Sequence, residues 1–369
     1  MSILFSPIKI RNMVVPNRFV RSATSDHFTE GAGYTSDRKV ALYSEVAEGG
    51  VGLIITGITS VHSSGQSSPT QASIAGDEYI PGFKKLTQAV HQRGSKVAVQ
   101  LWHAGRDAGK VRRTINENAF GPSLVENDPH FNGKYRSMTE EEMRKVIRAF
   151  GDAARRAREA GFDAVQIHGA HAYLLSQFLS PFTNRRNDEW GGKLENRLRV
   201  HHEVYNDIRQ KVGHDYPVLI KFGVEDGFAG GLKFSEGLQA AKLIAQWGYD
   251  GLEITQGLRG KNYDETEFRT GIDSLKDEGY FRAWCSDVKK QVQVPVMMVG
   301  GLRTFDLMEE IIKNQEADFI SLCRPLIREP GIINEWKNGS RRRAECISCN
   351  KCLESNREKD LLQCIFNQR

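Results

Sequence analysis

The chain has 369 residues, 39% of them hydrophobic, with 35 glycines and only 11 prolines, which is ordinary for a globular α/β chain and enough for a large core. A formal net charge of +5 is mild, and Lys and Arg are spread out apart from Arg341-Arg342-Arg343. This argues against a nucleic-acid partner while suiting a phosphate-bearing cofactor. No apolar run approaches membrane-spanning length, and the opening MSILFSPIKIRN lacks the apolar core of a signal peptide, so a cytoplasmic protein with no membrane association is expected.

Along the chain, short apolar runs alternate with longer amphipathic ones, the βαβ signal of a parallel sheet. Strands are predicted at Phe19 to Ser22, Val51 to Thr56, Lys96 to Gln100, Ala164 to His168, Val218 to Phe222, Gly251 to Thr255, Val296 to Gly300 and Phe319 to Leu322. Eight strands predict an α/β fold, a single (β/α)8 TIM barrel over residues 1–337, followed by a short Cys-rich extension over 338–369. Between strands three and four, Thr139-x-x-Glu142 reads as a capping box. Met143, Val146, Ile147, Phe150 and Ala154 then repeat at helical spacing until Gly161. The stretch from His103 to Ser137 is too long for a plain connection and is expected to cover the site.

In such a barrel the chemistry sits where strands end, and the fourth strand ends on His168, His171 and Tyr173, two imidazoles and a phenol within six residues. His-x-x-His could be half of a zinc site, but Gly169 and Ala170 follow the first His where a metalloprotease helix carries Glu. At the fifth strand, Lys221 interrupts an apolar run. A lone buried ammonium is costly, so it should face an anion. Gly300-Gly301 and Cys323-Arg324 end the last two strands before helices, where barrels commonly hold phosphate, and no Gly-x-Gly-x-x-Gly fingerprint suggests a dinucleotide domain.

His168-x-x-His171-x-Tyr173, then Ser180-Pro181-x-x-Asn184-x-Arg186-x-Asp188-x-x-Gly191-Gly192 with Asn196-Arg197, resembles the signature of the Old Yellow Enzyme family of flavin-dependent ene-reductases, and the likeness extends over the whole chain. The resemblance implies FMN bound in the barrel mouth. Ser22, Ala23, Thr24 and Ser25 would run beneath the ring, Gly57 would admit it, and Gln100 would meet its pyrimidine. Lys221, where the family often has Arg, would face the negative charge of the reduced ring, and Arg324 the phosphate. The implied reaction passes hydride from NAD(P)H through FMN to an activated alkene, such as an α,β-unsaturated carbonyl. His168 and His171 would bind the carbonyl oxygen and Tyr173 would protonate carbon. Trp102 and the loops Gly223 to Lys233 and Gly257 to Asp277 are expected to shape the pocket for this small-molecule substrate, and a homo-oligomer is expected.

Of six cysteines, four (Cys346, Cys349, Cys352 and Cys364) fall in the last 24 residues, which in a reducing compartment points to metal rather than disulfides. Four thiolates can close a [4Fe-4S] cluster or a tetrahedral zinc site, and spacing does not separate the two. The arrangement is similar to that of the trimethylamine dehydrogenase and dienoyl-CoA reductase branch, where a cluster relays electrons to FMN. Those relatives continue into a nucleotide-binding portion, whereas this sequence ends at Arg369, so a separate electron-donor protein is one expectation. An amine dehydrogenase and a non-catalytic flavin redox sensor are the alternative functions.

Overall fold

The computed structural model describes residues 2–109, 119–354 and 362–367. Residues 110–118 of the predicted covering loop and 355–361 of the Cys-rich extension lie outside them. Eight strands close into a barrel: β1 Phe19–Arg21, β2 Leu53–Ser60, β3 Lys96–Trp102, β4 Ala164–Gly169, β5 Val218–Gly223, β6 Gly251–Thr255, β7 Val296–Met298 and β8 Phe319–Leu322. Each pairs in parallel with the next, and Leu322 beside Arg21 closes the ring. The seven main helices are α1 Asp37–Glu48, α2 Ile80–His91, α3 Glu140–Glu159, α4 Leu194–Val212, α5 Phe234–Trp247, α6 Arg282–Lys289 and α7 Phe305–Lys313. This is the TIM barrel expected from the strand count.

The strand runs are buried throughout and mostly apolar because both faces are covered, helices outside and packed side chains within. α3 shows how local signals set an element. Thr139 and Glu142 cap its start reciprocally, Met143, Val146, Ile147 and Phe150 form its buried face, and Gly161 at φ 86° takes the left-handed turn that ends it. The lower end of the barrel is closed by a hairpin, Ile8–Ile10 with Met13–Val15. Its Ile10, Met13 and Val15 pack against Val20, Leu53 and Met297. The alternation of apolar residues about Arg11-Asn12 was its sequence signal.

Four strands run past their predicted ends, β4 and β5 by one residue and β2 and β3 by more. β2 shifts register between Ile55 and Ile58 and then goes on pairing, so that Ser60 still lies beside Trp102 of β3. Gly57 and Trp102 consequently lie inside strands rather than after them. β7, in contrast, stops at Met298, short of the glycine pair. The basic tract is satisfied within the chain: Arg342 pairs with Glu335 and Glu329, Arg343 with Glu278, and Arg341 lies over the Phe305 ring. Among the described residues no helix is long and apolar enough to cross a membrane.

One core residue makes stability pH-dependent. His201 on α4 is fully buried near Phe222, and among the described residues neither ring nitrogen has a hydrogen-bond partner. Burial pushes its pKa down to about 3. An unfolded chain with an ordinary imidazole therefore binds a proton that the folded chain refuses, so the contribution is intact above about pH 6.5 and erodes as pH falls from there toward 3. His201→Leu is expected to remove about 2 kcal/mol of the stability lost between pH 7 and pH 5, read by urea unfolding at both values. An unchanged pH slope would refute the assignment.

Candidate active site

A cavity of about 980 Å³ opens at the carboxyl ends of the strands. Ser22, Ala23, Thr24 and Ser25 line one wall, with Gln100 and Lys221 deeper in. His168, His171 and Tyr173 lie at the same mouth, and Gly300, Gly301, Cys323 and Arg324 line the opposite end. Two of the sequence candidates are elsewhere. A β-carbon on Gly57 would lie 2.5 Å from the Thr24 carbonyl oxygen and 2.9 Å from Asp26 Oδ2, so this glycine admits the exit of β1, not the cavity. Trp102 is wholly buried behind Tyr173, edge-on at 5.1 Å between centroids, and shapes the pocket only through that ring.

The turn after β4 presents the reactive trio. His171 and Ala172 adopt φ of 58° and 65°, a left-handed pair unusual for residues with a β-carbon. Their N–H groups donate to the carbonyls of Gln256 and Gly257 after β6. These bonds hold the reversal that brings Tyr173 beside His168, with ring centroids 4.9 Å apart and planes 86° apart. Burial pushes both imidazoles well below the ordinary histidine range; His171 and Lys221 add to this for His168, and Lys221 and Arg259 for His171. Both are therefore neutral. His168 Nδ1 accepts from the Ala170 N–H at 3.3 Å, which places its proton on Nε2. His171 is held on both sides, Nε2 at 3.0 Å from Thr255 Oγ1 and Nδ1 at 3.5 Å from Glu267 Oε1.

Lys221 Nζ donates to Ser22 Oγ at 2.7 Å and lies 3.2 Å from Glu253 Oε2. The anion that a buried ammonium demands is thus present within the protein, on the neighbouring strand. Glu253 was legible as a charge in the five-residue buried run of β6, by the same logic that singled out Lys221. The loop from Gly257 to Asp277 contributes Arg259, Glu267 and Phe268 to the cavity, whereas no residue of Gly223 to Lys233 lines it. Of the described part of the predicted covering loop, Asp107 lines it.

At the far end, Gly300 and Gly301 take φ of 134° and 73° against the Tyr280 ring, a path that only glycine follows without strain. Arg324 Nη1 donates to the Arg269 carbonyl at 2.8 Å and to Asn350 Oδ1 at 2.7 Å. Arg303, two residues after the glycine pair and not singled out from sequence, is 3% exposed. It donates one bond to the Cys346 carbonyl, and its Nε and Nη2 have no partner among the described residues. Burial and the adjacent Arg343 pull this guanidinium below its usual range. The orphaned buried donors of Arg303, with Arg324 lining the same end of the cavity, fit a phosphate. The chain here therefore suits a group with a polar ring edge at Gln100 and Lys221 and an anionic tail at Arg303 and Arg324.

Cys346, Cys349, Cys352 and Cys364 border one small cavity, together with Arg324 and Asn350, and Cys352 also lines the large one. Among the described residues no three Cys, His, Asp or Glu side chains stand close enough together to grip a metal ion.

Comparison with known proteins agrees with this geometry. The model of the NADH:flavin oxidoreductase / NADH oxidase family matches residues 3–342, and the chain belongs to that family. The NADH oxidase of Thermoanaerobacter brockii is 34% identical over 99% of this chain and 56% of its own length. The NADPH dehydrogenase of Bacillus subtilis is 34% identical over 89% of this chain and 92% of its own. A solved 2-naphthoyl-CoA reductase in complex with 2-naphthoyl-CoA superposes with a TM-score of 0.86 at 29% identity, over 94% of this chain and 54% of that one. The chain thus spans about half the length of the first and third of these relatives. The family read from the His168 to Arg197 signature is confirmed.

Proposed function

We propose that the chain is an FMN-dependent oxidoreductase of the ene-reductase type, taking hydride from NAD(P)H and delivering it to an alkene conjugated to a carbonyl. The observation that carries this reading is the placement of His168, His171 and Tyr173 above a cavity with Lys221 and Gln100 inside and unsatisfied guanidinium donors at its far end. Bound there, FMN would accept and release hydride. Arg303 and Arg324 would hold its phosphate, and Gln100 and Lys221 its pyrimidine edge. The neutral imidazole of His168 donates its Nε2 proton to a substrate carbonyl oxygen, where negative charge grows as hydride arrives. His171 adds a second donor only by giving up Thr255 or Glu267. Tyr173 supplies the proton to the α-carbon.

The amine-oxidising alternative needs aromatic faces free to receive a cation. In this cavity the Tyr173 and Phe268 rings already lie 5.4 and 5.6 Å from the Arg259 guanidinium, and Tyr280 lies 4.8 Å from that of Arg269, which weighs against it. Four cysteines beside one small cavity match the ligand number of an iron–sulfur cluster, and reading them as one requires their thiols to draw closer together than they stand here. Two measurements test the reading. Purified under argon, the protein should be yellow, bleach with NAD(P)H and recover colour on adding an enone; a colourless protein that takes up no FMN would sink it. Iron and acid-labile sulfide should be present in equal amounts, whereas zinc without sulfide would replace the cluster by a structural zinc site.

A further inference from the structure

Beneath the cavity runs a buried string of polar side chains across the inside of the barrel. Gln100 Nε2 on β3 donates to Gln166 Oε1 on β4 at 2.7 Å, and Gln166 Nε2 donates to Glu253 Oε2 on β6 at 2.9 Å. The same carboxylate oxygen faces Lys221 Nζ of β5 at 3.2 Å, and Lys221 donates onward to Ser22. Gln100 and Gln166 are direct neighbours across β3 and β4, as Lys221 and Glu253 are across β5 and β6. Gln166 and Glu253 are 0% exposed, and Gln100 1%.

The string has a direction set by chemistry. An amide can be turned either way, but a carboxylate facing an ammonium only accepts. Glu253 therefore obliges Gln166 to turn its NH2 inward and its oxygen toward β3, and that oxygen obliges Gln100 to spend an N–H on it. Gln100 Oε1, which has no protein partner among the described residues, is left to the cavity. Stability does not account for the arrangement, because a buried ion pair adds little net stability and Glu253 Oε1 has no partner at all among the described residues.

We propose that Glu253 is a positioning residue, which from inside the barrel dictates that the flavin's pyrimidine edge meets an acceptor on Gln100 and a cation on Lys221. This rests on the FMN reading above. That edge carries one N–H, at N3, between two carbonyls, so an acceptor at Gln100 matches N3–H and a flipped amide would oppose it. The test compares FMN with 3-methyl-FMN, which has no proton at N3, by equilibrium binding to the apoprotein. Wild type should favour FMN. Glu253→Gln keeps the volume but loses the direction, since its amide can donate. It should weaken FMN about tenfold more than 3-methyl-FMN, any loss common to both flavins reporting the changed partner of Lys221. Equal loss for both flavins would mean a merely structural role, and no loss for either would also overturn the proposal. Should Glu253→Gln fail to fold, Gln166→Leu cuts the string while sparing the Lys221 pair. The same selective loss is expected, and equal loss again overturns it. A wild-type apoprotein that takes up no FMN removes the functional reading and this inference together. A wild type that binds FMN beside an unselective variant removes this inference alone.

Discussion

Tyr173→Phe is expected to slow reduction of an enone by roughly 10²- to 10³-fold while leaving reduction of the flavin by NAD(P)H within a few-fold of wild type. The ring is held by its faces and edges, edge-on to Trp102 at 5.1 Å and to His168 at 4.9 Å, with Arg259 5.4 Å from its centroid. Phenylalanine keeps all of these contacts, so the pocket should not collapse, and only the proposed proton donor is lost. That donor matters in one half of the cycle. Hydride leaving NAD(P)H needs no proton from the wall, whereas hydride reaching the alkene leaves a carbanion-like carbon that must be protonated. Stopped-flow measurement of the two half-reactions separates them. Equal slowing of both would reassign Tyr173 to packing or nucleotide binding, and no slowing of either would take the proton from elsewhere.

What was legible in the sequence follows from the range of the interactions. The strands were readable because a parallel strand buried on both faces must be apolar along its length, and α3 because its cap, apolar spacing and terminal glycine are all local. The end of β2 was misplaced because a register shift depends on the partner strand and leaves no mark on β2 itself. Lys221 stood out as a charge in an apolar run, but its partner was sought outside the protein, and Glu253 in the next strand went unread although it breaks its own run in the same way. Glu267 reaches His171 from nearly a hundred residues away, by way of a loop whose path no local pattern encodes. The Cys-x-x-Cys-x-x-Cys spacing was plain in the sequence. That Asn350 within it would bond Arg324 just after β8, joining the extension to the end of the cavity lined by Gly300 and Gly301, was not.

Lys39→Met is expected to be the most destabilising single substitution near the site, by about 3–5 kcal/mol at neutral pH. Lys39 Nζ lies 2.6 Å from Asp26 Oδ1, and the two side chains are 2% and 1% exposed. Tyr43 Oη donates to Asp26 Oδ2 at 2.7 Å and accepts the Gly57 N–H at 2.7 Å, and the Phe28 N–H completes the shell. Asp26 directly follows Ser25, so this network anchors the wall of Ser22 to Ser25 against β2. Burial alone would raise the Asp26 pKa, but the charge and hydrogen bond of Lys39, with those of Tyr43 and Phe28, hold it below the ordinary carboxylate range. A depressed folded value means that the stability from this group is present above about pH 4, the unfolded value, and is lost as pH falls through the folded one. Methionine reverses the sign. Without the ammonium, burial dominates, and the charged carboxylate becomes the unfavourable form in the folded chain. Acid should then relieve the variant, so the gap in unfolding free energy between wild type and Lys39→Met should narrow from pH 8 to pH 5, and Lys39→Met with Asp26→Leu should recover much of the loss at pH 8. Urea unfolding across that range decides it. A gap independent of pH would mean that Lys39 contributes through packing of its aliphatic stem and not through its charge.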